Sequence, residues 1–471
     1  MPIEYKSIDY IAENERHGRV ADQITFWFLG NFHFFTIAIG FVGPSMGLGL
    51  GATALAGALG ILFGTLFVAF HASQGAELGL PQMIQSRAQF GFRGVVVVLF
   101  GTLFTLLGFN VADSVLAAHG LNGILGWNEP VVTLVAALAA ALLAIYGHDW
   151  LHRIFRWCFL LCMPLYTLLS LAILLGRVPA THLSVAQFSW VAFAGQFAAS
   201  ASYNITYAPS VSDYSRYLPR HTKPRSIILA VFVGASASAI WLIALGAWLA
   251  TRLGAADGLV ALHDAGNAVF DGFGVLLSLA SVATLVATMG LNAYSGMLTV
   301  VTALSSVFET QPTPRLRVVT IISLAAIWAG AGMAISANAI DLLFAALTIM
   351  LYLLVPWTAI NLIDYFFVRR GRYAITHFFM PRGIYGTWNA RGLTAYVVGF
   401  AATLPFFVLP EIYTGAAARA LGGIDVGWLV GLLVSAAVYL WLSRAYDPAG
   451  EARAIGESTA DLRGAQAASS N

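Results

Sequence analysis

Twelve long apolar segments constrain the fold of this chain more than any other feature of its sequence. A helix needs about 20 apolar residues to cross the core of a bilayer, and these runs are too uniformly apolar for the alternating strands of a membrane barrel. They predict an all-α polytopic membrane protein with twelve transmembrane helices. The segments lie near residues 24–47, 51–73, 94–119, 130–147, 153–176, 187–215, 226–251, 273–303, 316–336, 341–368, 392–410 and 424–443.

The composition excludes a soluble enzyme. Of the 471 residues, 59% are apolar and only 10% are charged, whereas about 25% are charged in an ordinary soluble domain. The two cysteines, Cys158 and Cys162, lie four residues apart in one apolar run and imply neither a disulfide framework nor a metal site. The sequence has no phosphate loop and no nucleic-acid patch, so we expect no cofactor and no nucleic-acid partner.

The distribution of basic residues predicts the orientation. With the N-terminus in the cytoplasm, all but three of the 24 lysines and arginines fall on the cytoplasmic side, and the three are Arg177, Arg252 and Arg419. This bias follows the positive-inside rule and supports an even number of helices. We therefore expect a multi-pass protein of the plasma (inner) membrane with both termini in the cytoplasm, acting as a monomer or a weak oligomer.

Two segments carry polar and helix-breaking residues at mid-membrane depth. Segment one has them at 31–36, 40 and 43–44, and segment six has them at 202–210. Unwound backbone at that depth is tolerated only where it lines a cavity or is buried in protein. Because the two segments are five apart, a five-helix unit repeated with inverted topology would place both breaks at equivalent positions, as in secondary transporters whose site lies between the repeats.

These features predict the organisation of the chain. Residues 1–23 form a cytoplasmic N-terminal segment, and residues 444–471, rich in Ala, Gly, Ser and charge, form a cytoplasmic tail that is predicted to be disordered. The single transmembrane domain between them covers residues 24–443, with repeat one at about 24–176, repeat two at about 187–368 and two extra helices at about 392–443.

Polar side chains inside the segments mark a candidate substrate site. Asn110 and Asp113 share one face of segment three because they are three residues apart, and Asn292 lies in segment eight. The amides of Asn31, Asn110 and Asn292 can read the edge of a planar heterocycle with mixed donors and acceptors. An ionisable residue inside a membrane helix is costly and functional by default, so Asp113 is the candidate proton carrier; a structural hydrogen bond to a neighbouring helix is its alternative role.

Aromatic and histidine side chains near the two breaks complete the candidate site. Tyr207 and Phe34 offer faces on which a planar ring can stack, as do Phe32 and Phe109. His33 can bind substrate or relay a proton, and a satisfied interior histidine is an equally good interpretation.

Four stretches occur in an order typical of one family. They read FWFLGN at 26–31, GLP followed by RAQFGFRG within 79–94, SDYSRYLP at 212–219 and DYFFVRR at 364–370. Together they resemble the nucleobase–cation symporter-1 family, and within it the purine–cytosine permease branch. The resemblance implies a leucine-transporter-type fold of two inverted five-helix repeats plus two C-terminal helices, with the substrate between segments one, three, six and eight. It places Asn110, Tyr207 and Asn292 on the family's substrate-binding positions.

The chain departs from the family pattern at three positions. Leu106 stands where many members have an aromatic residue in segment three, and Val286 and Ala287 stand where sodium-coupled members have a Ser/Thr pair before the segment-eight asparagine. Because sodium prefers oxygen ligands, these replacements favour protons as the coupling ion, with sodium as the alternative.

The sequence therefore predicts a symporter that imports a nucleobase such as cytosine or a purine, or a related planar heterocycle, driven by protons. One alternative is a sodium-coupled importer of a vitamin-type ring (hydroxymethylpyrimidine or pyridoxine) or of allantoin, and another is a passive facilitator or channel. A third is a membrane protease, because residues 43–47 match G-x-S-x-G around Ser45, although the strand–turn–helix context of that motif is missing.

Overall fold

The chain is a bundle of α-helices in the computed structural model, which describes residue 4 and residues 6–182, 187–308, 310–335, 340–409 and 412–469. Residues 1–3 and 5 of the predicted N-terminal segment, residues 470–471 of the predicted tail and the end residues 336 and 410 of segments nine and eleven lie outside the described residues. The α-helices in chain order are α1 (Val20–Gly30), α2 (Phe34–Ile39), α3 (Val42–Ser45), α4 (Leu50–Leu78), α5 (Gln82–Gln85), α6 (Arg87–Phe90), α7 (Val96–Leu125), α8 (Glu129–Tyr146), α9 (His148–Leu174), α10 (Trp190–Ile205), α11 (Val211–Ser215), α12 (Pro224–Leu253), α13 (Gly258–Asn267), α14 (Phe273–Phe308), α15 (Pro314–Ala334), α16 (Ile340–Ile363), α17 (Ala390–Thr403), α18 (Ala416–Ala420), α19 (Gly427–Leu442) and α20 (Pro448–Ser469).

Shorter elements connect some of these helices. A π-helical turn at Asp364–Val368 continues α16, and 3₁₀ helices cover Glu13–Glu15, Ile375–Phe379 and Leu404–Phe406. Strands β1 (Val408–Leu409) and β2 (Tyr413–Thr414) pair antiparallel, with Val408 opposite Thr414 and Leu409 opposite Tyr413.

All twelve predicted segments coincide with helices. Within the described ranges, eight helices are long and apolar enough to cross a bilayer, namely α4, α7, α8, α9, α12, α14, α15 and α16. A further span consists of α1 followed by α2 and α3, which are bent away from α1 by 59°. Segments six, eleven and twelve correspond to the shorter helices α10, α17 and α19 of 16, 14 and 16 residues. The predicted all-α, multi-span class is confirmed.

The helix contacts of the first five spans repeat in the next five. The second span, α4, packs on the sixth, α10, and the span five places from each shows the same contact, because the seventh, α12, packs on the first, α1. In the same way, the packing of α8 on α14 maps onto that of α15 on α7, and the packing of α7 on α16 onto that of α14 on α9. Because five is an odd number, the second unit runs through the membrane in the opposite direction, so the bundle is built from inverted repeats.

The first and sixth spans are both interrupted in the interior of the bundle, as predicted. The chain leaves α1 after Gly30 and resumes as α2, and turns separate α10 from α11. The side-chain amide of Asn31 donates to Oδ1 of Asn204 at 2.9 Å, and the hydroxyl of Tyr207 donates to the carbonyl of Gly30 at 2.6 Å. The two interruptions therefore hydrogen-bond to each other, which satisfies backbone and side-chain groups that lipid could not satisfy.

One end of the bundle, called the basic end below, holds the three buried arginines Arg87, Arg216 and Arg317 and the partly exposed Glu4. The three arginines are at most 1% exposed. Glu4 Oε2 lies 3.1 Å from Nη2 of Arg317, and Oε1 lies 3.5 Å from Nη2 of Arg216. Burial opposes ionisation of Glu4, but the two guanidinium groups outweigh it, so the pKa of this carboxyl is lowered. These ion pairs tie the N-terminal segment to span six and to α15.

The C-terminal tail is helical, contrary to the prediction of disorder. In α20, Glu451 accepts hydrogen bonds from Arg369 at 3.0 and 3.2 Å, and Ser458 Oγ accepts one from the backbone N–H of Thr376 at 3.0 Å. The disorder prediction is wrong because an alanine-rich, low-complexity composition also has high helix propensity. Its partners lie 82 residues away along the chain, beyond the reach of local pattern analysis.

Candidate functional site

A narrow cavity lies where the two interrupted spans meet α7 and α14. Its walls come from the break before α2, from α7, from α10 with the turn that follows it, and from α14. This is the junction of the two repeats, where inverted-repeat transporters hold their substrates. The lining residues are His33, Thr105, Leu106, Phe109, Asp113, Tyr203, Thr206, Tyr207, Thr288 and Asn292.

Two asparagine side chains join α7 and α14 beside the cavity. Asn292 Nδ2 donates to Oδ1 of Asn110 at 3.0 Å, and Asn110 Nδ2 donates to the carbonyl of Met289 at 3.1 Å. An amide group has two N–H donors and a carbonyl acceptor, so each of these bonds leaves further capacity. Asn292 lines the cavity and can offer that capacity to a ligand, whereas Asn110 fixes the orientation of Asn292 from behind.

Asp113 lies one turn beyond Asn110 on α7 and is 2% exposed. Its Oδ1 atom is buried without a hydrogen-bond partner in the described part of the chain. A buried carboxyl oxygen without a partner is costly, and in a membrane span such a group is functional by default. Asp113 can therefore accept a proton or a hydrogen bond from a ligand in the cavity.

His33 occupies the break between α1 and α2 and also lines the cavity. Its Nε2 lies 3.2 Å from the carbonyl of Gly30, and its Nδ1 is buried with no partner among the described residues. Because a carbonyl can only accept, Nε2 carries the proton and Nδ1 keeps a free lone pair. His33 can therefore accept a hydrogen bond at the cavity.

Three aromatic rings narrow the cavity. The ring centroids of Phe109 and Tyr203 are 6.1 Å apart and those of Tyr203 and Tyr207 are 6.3 Å apart, both with edge-on geometry. A planar ring stacked between two others needs them about 7 Å apart, since each stacking contact takes about 3.5 Å. The remaining space holds about one water molecule. A planar ligand must therefore rotate or displace these rings when it enters.

The seven predicted site residues fall into two groups. His33, Asp113, Tyr207 and Asn292 line the cavity, and Asn110 lies directly behind Asn292. Asn31 and Phe34 are not among the lining residues and instead hold the first break in place. Asn31 bonds to Asn204 and to the carbonyl of Ala235, both at 2.9 Å, and the backbone N–H of Phe34 donates to Ser281 Oγ at 2.9 Å.

Sequence reasoning missed Thr105, Tyr203 and Thr206 as lining residues. Thr105, Phe109 and Asp113 are four residues apart and thus share one face of α7, and the same spacing links Tyr203 to Tyr207. Extending the face of Asp113 and Phe109 by one more turn would have identified Thr105, and one turn back from Tyr207 would have identified Tyr203. The turn residue Thr206 has no such periodic signal.

Hydroxyl groups beside the first break are used within the protein. Ser281 Oγ receives a hydrogen bond from Tyr166 at 2.7 Å as well as the one from Phe34. Thr284 and Thr288 donate back to carbonyls of their own helix at 2.7 and 3.1 Å. Val286 and Ala287 bring no oxygen to this region. Thr284 and Thr288 use their protons in these bonds and keep acceptor lone pairs, and the buried Oδ1 of Asn31 has no hydrogen-bond partner among the described residues.

Ser45 has the geometry of a helix end rather than of a nucleophile. It ends α3, is exposed, and donates from Oγ to the carbonyl of Val42 at 2.8 Å. Such a bond to the helix's own backbone is a local capping contact. The arrangement does not support the protease alternative.

Two interrupted spans that meet around a buried polar cavity, inside a bundle of inverted repeats, define a secondary transporter. Solved structures share this fold. Mhp1, a nucleobase-cation-symport-1 family transporter in a closed conformation with bromovinylhydantoin bound, matches with a TM-score of 0.76 and 17% identity, over 96% of this chain and 98% of that chain. A Na⁺-coupled sialic acid symporter matches with a TM-score of 0.61 and 12% identity, over 94% and 93% of the two chains. The predicted leucine-transporter-type fold is confirmed.

Sequence comparisons show the family. The family model described as permease for cytosine/purines, uracil, thiamine, allantoin matches residues 10–431. YxlA of Bacillus subtilis (strain 168), a protein named as a candidate purine-cytosine permease, is 32% identical over 447 residues, which cover 94% of this chain and 96% of YxlA. The purine-cytosine permease FCY21 of Saccharomyces cerevisiae is 27% identical over 264 residues, 53% of this chain and 48% of FCY21. The chain belongs to this permease family and is a membrane transporter rather than an enzyme.

Proposed function

We propose that the chain imports a nucleobase, cytosine or a purine, by proton symport. The observation that carries this proposal is the cavity at the junction of the interrupted spans, lined by Asn292, Asp113 and Tyr207. An amide, a carboxyl group and an aromatic face supply the contacts that a planar ring with mixed donors and acceptors needs. The description of the family and the names of the relatives support this class of substrate.

Each lining group has a proposed role in binding. Asn292 reads the edge of the ring, with Asn110 as its support, and Tyr207 stacks on the face of the ring. His33 accepts a hydrogen bond from the base through Nδ1. Asn31 and Phe34 act through the first break, which they hold in position for His33.

Asp113 is the proposed proton carrier. The unpartnered, buried oxygen of its carboxyl group lies in the same cavity as the substrate contacts, so protonation and substrate binding can be coupled directly. The replacement of the Ser/Thr pair by Val286 and Ala287 supports a proton rather than sodium, because these two residues bring no oxygen ligand.

The orientation of the transporter in the membrane is proposed from its charge distribution. The basic end faces the cytoplasm of a cell whose plasma membrane the chain spans, since cytoplasmic loops carry the excess of lysine and arginine. Rocking of one group of helices against the other around the two breaks then opens the cavity alternately to each side.

Ligand-induced thermal stabilisation tests the substrate assignment. We expect one or more nucleobases from a panel of cytosine, adenine, hypoxanthine, guanine and uracil to raise the melting temperature, because a ligand that binds only the folded state stabilises it. In Asn292→Ala the shift should disappear while the unliganded protein still folds. Asn122→Ala is the matched control, since Asn122 lies on the same helix as Asn110 but is exposed and bonds to the carbonyl of Trp127. An unchanged affinity in Asn292→Ala contradicts the assignment.

Uptake into proteoliposomes tests the coupling ion and the alternatives. Accumulation under a pH gradient alone supports proton symport, whereas accumulation that needs a sodium gradient supports the sodium alternative. Thiamine, allantoin and pyridoxine belong in the panel because the family description includes two of them. Internal substrate that never exceeds the external concentration identifies a facilitator.

A further inference from the structure

A second cluster of polar side chains lies outside the cavity, where the chain enters the first span. His17 precedes α1, and His148 and Asp149 are the first two residues of α9. Nε2 of His17 and Nδ1 of His148 each lie 3.0 Å from the same atom, Oδ1 of Asp149. All three atoms lie within 4.8 Å of one another. His17 and Asp149 are more than half exposed, so ions in solution can reach them.

The hydrogen bonds of the two imidazoles determine which ring nitrogens face Oδ1 of Asp149. The other ring nitrogen of His17, Nδ1, lies 2.9 Å from the carbonyl of Glu15, and the other nitrogen of His148, Nε2, lies 3.2 Å from the carbonyl of Tyr214. Carbonyls only accept, so these two nitrogens carry protons. The opposite nitrogens, Nε2 of His17 and Nδ1 of His148, both face Oδ1 of Asp149. Once deprotonated, they and the carboxylate oxygen form three converging ligand atoms for a cation.

A third histidine extends the cluster by one helical turn. His152 lies four residues after His148 on α9, and the two ring centroids are 4.4 Å apart. Nε2 of His152 is buried with no hydrogen-bond partner in the described ranges. All three histidines and Asp149 line one surface pocket. Two of the three arginines that line this pocket have partners: Arg156 lies 3.3 Å from Asp22, and Arg153 stacks 5.4 Å from the ring of Trp150.

We propose that His17, His148 and Asp149 form a binding site for a divalent transition-metal ion of the zinc class. Imidazole and carboxylate ligands suit such ions, and the backbone carbonyl behind each imidazole is the outer-shell partner typical of metal-ligating histidines. Bonds of about 2.0–2.1 Å to all three atoms need a movement of less than about 1 Å. The proposal is independent of the transported substrate.

A bound ion would connect two elements that are distant in sequence. His17 lies 132 residues from Asp149, on the segment that leads into the first span, whereas Asp149 begins the fifth. The ion would therefore hold the N-terminal segment against α9. His152 supplies a fourth ligand of the same type if its ring turns toward the ion.

Isothermal titration with zinc chloride tests the site on the purified full chain after removal of any histidine tag. We expect one ion per chain. His17→Ala and Asp149→Asn should each weaken binding by about 100-fold or more, since losing an outer-shell partner alone weakens it about 10- to 100-fold. His263→Ala is the matched control, because His263 and Asp264 form the same His-Asp dipeptide with the same 3.0 Å contact. Binding in this variant should equal that of the unchanged protein.

The absence of any heat of binding in the unchanged protein contradicts the proposal, as does equal affinity in the unchanged protein and in His17→Ala. Thermal unfolding of the metal-free proteins shows whether His17→Ala and Asp149→Asn are folded. Substitution of Co²⁺ for zinc gives a second readout, because imidazole coordination produces visible absorption bands that both variants should lose. Bands that persist in both variants place the metal elsewhere and overturn the assignment.

Discussion

The carboxylates of the basic end and of the central cavity differ in their hydrogen bonding. Glu4 at the basic end accepts from Arg317 and from the hydroxyl of Tyr294 at 3.1 and 3.0 Å. Asp364 belongs to the same end, because its donor Gln89 lies two residues after Arg87, and it accepts from Arg369, Gln89, Tyr373 and Tyr439 at 2.6 to 2.8 Å. Asp113 in the cavity has an oxygen with no partner among the described residues.

This difference in hydrogen bonding distinguishes carboxylates that join structural elements from one that can exchange a proton or a ligand. A carboxylate whose oxygens are all hydrogen-bonded to fixed donors joins the elements that supply those donors, and breaking such a pair is strongly destabilising. A carboxylate with an open oxygen stabilises nothing through that atom but can bind and release a proton or a ligand. The carboxylates of the basic end therefore hold neighbouring elements together, whereas the carboxylate of the central cavity is available for binding.

The largest expected effect is that of Asp113→Asn. The amide keeps the shape of the side chain but cannot take up and release a proton, so accumulation driven by a pH gradient should be lost. Nucleobase binding, measured by thermal shift, should remain, because the amide, like a protonated carboxyl group, has both a donor and an acceptor for the ring. Asp264→Asn, which changes an exposed carboxylate outside the cavity, is the control. Full gradient-driven accumulation in Asp113→Asn would contradict the role of Asp113 as proton carrier.

A smaller effect is expected from Asp364→Asn. The substitution leaves the buried guanidinium of Arg369 with Glu451 as its remaining carboxylate, so the free energy of unfolding should fall by about 3 kcal/mol, the low end of the range for a broken buried pair. Thermal unfolding in detergent measures this loss. Asp461→Asn on the exposed side of α20 should leave the melting temperature unchanged. Equal stability of Asp364→Asn and the unchanged protein would contradict the stabilising role of the carboxylates at the basic end.

The smallest effect is expected from Glu4→Gln, at about 2 kcal/mol, because the carboxylate is partly exposed and part of its loss is screened by solvent. The pKa of Glu4 is lowered in the folded protein. Its stabilisation is therefore complete above the ordinary glutamate pKa of about 4.3 and is lost as the pH falls through the lowered value. Melting temperatures of the two proteins should differ at neutral pH and converge in acid. A constant difference across that range would assign the effect to packing rather than to charge.

Some of the site could be predicted because its signals are local. Asn110 and Asp113 share a helix face through their three-residue spacing, and the polar and helix-breaking residues of segments one and six mark the interruptions. Thr206 lies in the predicted break at 202–210, but its place in the cavity wall could not be predicted, because a turn has no periodic pattern. The roles of Asn31 and Phe34 also depended on distant partners, Asn204 and Ser281, which local sequence does not reveal.

The sequence by itself determined the helical class, the approximate positions of the spans and the positions of the two breaks. In lipid every backbone polar group must be satisfied within its own helix, so apolar length and helix-breaking residues act locally. Tertiary structure alone decided that Glu4 meets Arg317, 313 residues away, that His17 meets Asp149, and that the tail folds as α20. Those contacts depend on which helix ends lie side by side, and that arrangement is set by packing between distant segments.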